Sequence, residues 1–178
     1  QQGDIRYDVN WTTLGGYLEH LEKRGVSCNI ASFVGGTTVR VHELGYTDRA
    51  PTPDELQRMT RLVEQAMEEG AVGVSSGLIY APGFYAKTDE LIALARAAGK
   101  HGGLYISHLR SEGNQFLEAL DELLTIAREA NVAAQVYHLK AAGSNNWAKL
   151  DAAIGKIEAA RASGQRITAD MYPYTAGA

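Results

Sequence analysis

The chain has 178 residues, 45% hydrophobic and 21% charged, with 17 basic and 21 acidic side chains and a formal net charge of -4. That composition is ordinary for a globular protein, and the length allows one domain with a real core. No long basic run marks a nucleic-acid footprint and no apolar stretch approaches a membrane span, so neither nucleic acid nor a bilayer is an expected partner.

In chain order, the pattern alternates short β-rich runs with amphipathic helices. A first helix is predicted over roughly Trp11 to Arg24, stopping at Gly25, and the apolar run Val26 to Val34 reads as a buried strand. A long loop is expected from Gly35-Gly36-Thr37-Thr38 to Ala50-Pro51. The next helix has the clearest start signal: Thr52 as N-cap, Pro53 as first helical residue and Glu55 closing a capping box. Leu56, Met59, Leu62, Val63, Ala66 and Met67 recur on one face, and Gly70 ends the helix. Strand two follows from Ala71 to Ser75, then the loop Gly77 to Gly83 and a helix from about Asp89 to Ala98. Strand three is Leu104 to His108, followed by a helix from about Gln115 to Ala130. Strand four is Val132 to His138, a helix runs from about Asn146 to Ala162 and ends at Gly164, and strand five is Ile167 to Met171.

Five strands joined by four crossover helices imply a parallel α/β sheet buried on both sides, with right-handed crossovers. The choice lies between a doubly wound sheet and part of a (β/α)8 barrel. No dinucleotide fingerprint follows any strand, and the Gly35-Gly36-Thr37-Thr38 segment leads into a loop rather than a helix. A whole barrel takes about 250 residues, so five strands make a little over half of one. Residues 1–178 are therefore expected to be a partial barrel domain of a longer parent. The chain starts at Gln1 without a methionine and shows no signal peptide, which leaves a leader on the parent open. The single Cys28 cannot close an internal disulfide, which fits a reducing compartment such as the cytoplasm.

His108 and His138 end two successive strands. Ligands gather at the carboxyl ends of parallel strands. Neighbouring strands lie about 4.8 Å apart, so two such imidazoles can converge on one cation, with metal–nitrogen distances near about 2.1 Å. Imidazole suits zinc and other late divalent metals. Each histidine is followed at i+2 by a cation, Arg110 and Lys140. If the strands persist, both cations face the same mouth and could hold a substrate carboxylate, Arg110 as a fork and Lys140 as a point charge. The structural alternative is a pair of hydrogen-bonded histidines and two solvated cations. Two ligands also fall short of the three that catalytic zinc usually has, so the rest must come from elsewhere.

Other candidates read more plainly. His20 lies on a helix surface, His42 sits in the long loop without a partner in sequence, and His101 lies near a helix end. Cys28 reads as core. Asp170 could point into the mouth or hold a loop by accepting backbone hydrogen bonds. Tyr80, Tyr172 and Tyr174 follow strand ends, where tyrosine either anchors a loop or touches substrate.

Several segments taken in order carry a family resemblance: Val34-Gly35, Arg49-Ala50-Pro51-Thr52, Gly77-Leu78-Ile79-Tyr80-Ala81-Pro82-Gly83, Ser107-His108-Leu109-Arg110-Ser111-Glu112, His138-Leu139-Lys140-Ala141-Ala142-Gly143 and Asp170-Met171-Tyr172-Pro173-Tyr174. Together they resemble the ordered motifs of the N-acyl-D-amino-acid deacylases of the amidohydrolase superfamily. The resemblance implies an amidohydrolase (β/α)8 barrel and hydrolysis of the amide bond of a small N-acyl-D-amino acid by the parent enzyme. It implies one tightly bound zinc ion, held in part by His108 and His138, and leaves a second, weak site open. It matches Lys140 to a lysine that contacts the substrate carboxylate, and Tyr80 and Tyr172 to tyrosines lining the pocket. Arg110 matches a motif position and is kept among the substrate-binding candidates. The family's zinc-binding cysteine, its early His-x-His pair and its catalytic aspartate belong to motifs absent from this chain; Cys28 lies in a different motif. No catalytic residue is therefore expected within the 178 residues, which alone should be inactive. They could self-associate through exposed barrel edges. The competing expectations are a cyclic-amide hydrolase of the dihydroorotase or hydantoinase kind, which normally uses a carboxylated lysine, and a non-catalytic barrel fragment.

Overall fold

A computed structural model describes residues 8–174. Its elements are α1 (Leu14–Arg24), β1 (Val34–Gly35), α2 (Gly36–Leu44), α3 (Pro53–Glu68), β2 (Gly73–Gly77), α4 (Thr88–Lys100), β3 (Leu104–His108), α5 (Phe116–Ala130), β4 (Ala133–Val136), α6 (Leu150–Ala162) and β5 (Ile167–Ala169). Short 3₁₀ turns, Gly83–Tyr85 and Ser144–Lys149, precede α4 and α6. All strand pairs are parallel, and the spatial order β1-β2-β3-β4-β5 follows the chain without reversal. A doubly wound sheet reverses its order at a switch point. A continuous order is that of one stretch of a (β/α)8 wall.

Local chemistry explains the helices. Thr52 accepts the N–H of Glu55, and the Glu55 carboxylate accepts the N–H of Thr52, which closes the predicted box ahead of Pro53. Met59, Val63, Ala66 and Met67 bury the inner face of α3. Thr13 caps α1 by accepting the N–H of Gly16, and Gly25, at φ 78°, lets the chain leave α1 as predicted.

Strand alternation sorts the two faces of the sheet. Val74, Tyr105, Val136 and Ile167 are buried in the same core as Leu94, Leu120, Leu123 and Ile157 of the helices. Each fully buried aliphatic side chain contributes about 1.5–3 kcal/mol. On that side Ser76 bonds both the Tyr105 hydroxyl (2.6 Å) and Ser107 (2.9 Å), and burial pushes the Tyr105 phenol up to about 12. Strand parity gives Ser75, Ile106, Gln135 and Thr168 the opposite face, where they align in register as one row. His108 shares the parity of Ile106 and stands at the carboxyl end of β3.

Four expectations are corrected. The run 26–34 is not a buried strand: only Val34 and Gly35 pair, and Val26, Ile30 and Cys28 are exposed. Among the described residues β1 has β2 as its one strand partner, so this run is paired on one edge only, and Cys28 is exposed, not core. The long loop after Gly35 contains α2, whose Val39, Arg40 and Leu44 are buried. Its β-branched, glycine-led sequence is weakly helical by itself, and tertiary packing decides. Arg40 is held there by the buried Glu90 carboxylate (2.5 Å) and the Arg49 carbonyl (2.5 Å). His42 lies on α2, exposed beside Glu43. Strands two, four and five are displaced or shorter than expected, because Gly73, whose Cβ would run into the Leu104 carbonyl, opens β2 and because β4 ends before His138. Among the described residues no helix is long and apolar enough to cross a membrane.

Candidate metal centre

The carboxyl ends of β3 and β4 bring the two histidines together. His108 Nδ1 and His138 Nε2 are 2.8 Å apart, and the rings meet edge to face with centroids 4.5 Å apart. Their convergence is not simply that of two strand ends. His138 lies beyond β4 in the left-handed region, at φ 37°, a conformation that a non-glycine residue adopts only when its surroundings enforce it. Asp170 supplies the enforcement. Its Oδ1 accepts the N–H of His138 at 2.7 Å, its carbonyl accepts the N–H of Leu139 at 2.8 Å, and its Oδ2 accepts from Gln135. Of the two readings left open for Asp170, holding the loop is the one observed.

Glu112 completes the cluster. Its Oε1 lies 2.9 Å from His138 Nδ1 and 3.9 Å from His108 Nε2, and it accepts from Lys140 Nζ at 2.6 Å. Lys140 also contacts His138 Nδ1 (2.8 Å) and the His138 carbonyl (3.1 Å), and its ammonium lies 5.3 Å from the Tyr172 ring centroid. The ligand atoms of His108, Glu112 and His138 all lie within 4.8 Å of one another. His108 Nε2 is buried and has no hydrogen-bond partner. Burial holds the His108 imidazole below its ordinary range; Glu112 opposes that shift, and His138 and Lys140 add to it. A neutral imidazole is the form that binds metal. Two converging imidazoles beside a carboxylate are a donor set that fits zinc or another late divalent ion.

Aromatic side chains line the surroundings. Tyr80 approaches His108 with centroids 5.2 Å apart, and Tyr172 approaches His138 at 6.4 Å. Tyr137 stacks on His138, 10° from parallel. His108, His138, Lys140, Tyr80 and Tyr172 thus meet in one place. Arg110 does not join them. β3 ends at His108, so the strand alternation invoked for Arg110 stops there, and its guanidinium bonds Glu122 through Nε (2.8 Å) and Nη2 (2.9 Å) and the carbonyls of Phe84 (2.8 Å) and Ala86 (2.9 Å). It braces the loop after β2 against α5. Sequence reading gave Glu112 no role, although an acidic residue in the loop after a strand-end histidine is a signal that could have singled it out.

No protein-family model matches the chain. The chain is 38% identical over 161 residues to a D-aminoacylase of Alcaligenes xylosoxydans xylosoxydans, covering 90% of this chain and 33% of that protein. A solved D-aminoacylase structure described for its binuclear metal centre superposes with a TM-score of 0.88 at 37% identity, over 93% of this chain and 35% of the other. The N-acyl-D-glutamate deacylase of Bordetella bronchiseptica, solved with zinc and a phosphonate that mimics the tetrahedral intermediate, gives a TM-score of 0.88 at 35% identity, over 91% and 34%. The chain therefore spans about a third of the length of the relatives it matches.

Proposed function

Because the chain belongs to the D-aminoacylase family of amidohydrolases, we propose that it is the central part of a zinc-dependent enzyme that hydrolyses the amide bond of N-acyl-D-amino acids. The observation that carries this reading is the convergence of His108 Nδ1 and His138 Nε2, 2.8 Å apart, with Glu112 and the Lys140 ammonium beside them. His108 and His138 are the residues assigned to hold the metal. Held by those two residues, a zinc ion would supply Lewis-acid chemistry, activating a water and polarising the scissile carbonyl.

The remaining roles belong to this chain's own side chains. Lys140 is assigned the substrate carboxylate, with Tyr172 beside its ammonium. Fixing that carboxylate places the acyl carbonyl against the histidine pair, and such positioning lowers the barrier without any chemistry of its own. Tyr80 and Tyr172 flank the two imidazoles and would exclude water from the acyl and amino-acid sides. The two carboxylates that touch the pair are committed to other work: Asp170 holds the His138 backbone, and Glu112 holds Lys140. The proton acceptor is assigned to the aspartate outside these residues that the family resemblance implies for the parent. Lys140 disfavours the cyclic-amide reading, because a carboxylated lysine needs a neutral amine and Lys140 is ion-paired with Glu112.

The test is a turnover screen of the full-length protein with N-acyl-D- and N-acyl-L-amino acids, with and without a chelator. Chelator-sensitive release of the free D-amino acid is expected. Turnover of a dihydroorotate- or hydantoin-type ring without any acyl-amino-acid hydrolysis would overturn the assignment.

A further inference from the structure

The Lys140 ammonium has three hydrogens and three acceptors: Glu112 Oε1 at 2.6 Å, His138 Nδ1 at 2.8 Å and the His138 carbonyl at 3.1 Å. Every donor is spent inside the protein, so the residue assigned to a substrate carboxylate has nothing left to offer one. The second contact also fixes a proton. His138 Nδ1 faces the Lys140 ammonium, which can only donate, and Glu112 Oε1 at 2.9 Å, which can only accept; when Lys140 donates to Nδ1, the ring hydrogen lies on Nε2, directed at His108 Nδ1 2.8 Å away. A cation at His138 requires that same Nε2 lone pair, and the ring proton must then sit on Nδ1. With Nδ1 protonated, the contact with Lys140 becomes donor against donor, while Glu112 Oε1 waits 2.9 Å from Nδ1.

We propose that Glu112 is a positioning residue that couples the histidine pair to Lys140: it anchors the Lys140 ammonium beside His138, takes up the Nδ1–H of His138 when Nε2 is committed to a cation, and so frees one N–H of Lys140 for a ligand carboxylate. The proposal rests on the zinc and carboxylate roles given above. A carboxylate that accepts the outer N–H of a ligating imidazole fixes its tautomer and orientation. Here the same oxygen also carries the lysine, so metal loading and carboxylate capture become linked. Linkage of this kind is reciprocal: what favours one occupant favours the other. The step balances as one ring proton moved, with Nε2–H broken and Nδ1–H formed, the freed Nε2 lone pair going to the cation, and no reagent besides that cation is needed.

Side-chain 15N NMR of the full chain tests this, first without metal and then with one equivalent of Zn2+. In the metal-free protein, His138 is expected to show a bare Nδ1 and a protonated Nε2. Zinc should invert that pattern, and the new Nδ1–H should resonate at the low field of a proton shared with a carboxylate. In Glu112→Gln the zinc-loaded Nδ1–H should move upfield, and zinc affinity should fall about 10- to 100-fold while binding persists. Added propionate, used as a carboxylate probe, should shift the Lys140 Nζ resonance in the zinc-loaded protein and leave it unmoved in the metal-free one. A metal-free His138 that already carries its proton on Nδ1 overturns the proposal, and that measurement needs no variant. So does zinc binding abolished in Glu112→Gln as completely as in His138→Ala, which would make Glu112 a ligand. Zinc affinity unchanged in His138→Ala would instead overturn the metal reading itself.

Discussion

The Asp170 carboxylate accepts the backbone N–H of His138 at 2.7 Å, and His138 is held there at φ 37°. Replacing Asp170 by Ala removes the clamp and leaves a buried-side N–H without its charged acceptor. Hydrogen bonds to charged groups are worth about 1.5–3 kcal/mol. Asp170→Ala should lower the melting temperature and, by releasing His138, weaken zinc binding by about tenfold or more. Unchanged zinc affinity in a destabilised variant would show that Asp170 serves the fold alone.

Arg110 should behave as a brace and not as a substrate contact. Its fork on Glu122 and its bonds to the Phe84 and Ala86 carbonyls tie the Tyr80 loop to α5. Arg110→Ala removes the charged partner of Glu122, which is only 13% exposed and keeps only the Thr88 hydroxyl, and loss of one partner of a part-buried pair is costly. A thermal melt of Arg110→Ala should show clear destabilisation, and Arg110→Lys should not restore it, because an ammonium cannot replace a fork. A rise in KM with an unchanged melt would return Arg110 to the substrate site.

Lys140→Ala should act chiefly on capture. A carboxylate contact made equally in the ground and transition states raises KM more than it lowers kcat. Kinetics of the full-length variant indistinguishable from the parent would remove Lys140 from the substrate site.

Acid should weaken the start of α3. Arg49 first, and then the Thr52 backbone N–H, hold the Glu55 carboxyl far below its ordinary value near 4.5. A depressed carboxylate stabilises the fold above the unfolded-state value and loses that contribution as pH falls below it. Melting temperature should therefore decline from about pH 5 downward, and Glu55→Gln should show a shallower decline with a lower melt at pH 7. Equal acid slopes in both proteins would refute the role of Glu55. Because its partner Arg49 is 45% exposed, the effect should shrink in high salt.

How much of this was legible before the structure depended on the range of the interaction. The α3 box and the Gly25 exit were legible because caps are local and have few solutions. His108 was legible because β3 is a clean buried run that ends on it; His138 was legible as a neighbour but not in its placement, since β4 stops at Val136 and Asp170 sets the turn that follows. What escaped depended on distant packing. α2 is helical because Val39, Arg40 and Leu44 find a core and the Glu90 carboxylate 50 residues away, neither of which its own sequence announces. Glu112 escaped because the loop after β3, not a periodic element, sets its position. Arg110 was misplaced by extending strand alternation two residues past the strand's end.

The edges of the sheet bear on the isolated 178 residues. β1 and β5 each pair with one strand only among the described residues, and open edges invite pairing with another copy. Light scattering should show self-association, and the isolated chain should hydrolyse no N-acyl-D-amino acid. A monomer with zinc-dependent turnover would show that a complete site lies within these residues.

The central claim is that His108 and His138 together hold a metal ion. Zinc K-edge X-ray absorption of the zinc-loaded chain tests it most directly, with His108→Ala and His138→Ala as comparisons. Two imidazole ligands should appear in the parent, with Zn–N near about 2.0–2.1 Å, and each substitution should remove one of them and lower the affinity. A zinc environment without imidazole, or one unaltered by both substitutions, would contradict the account.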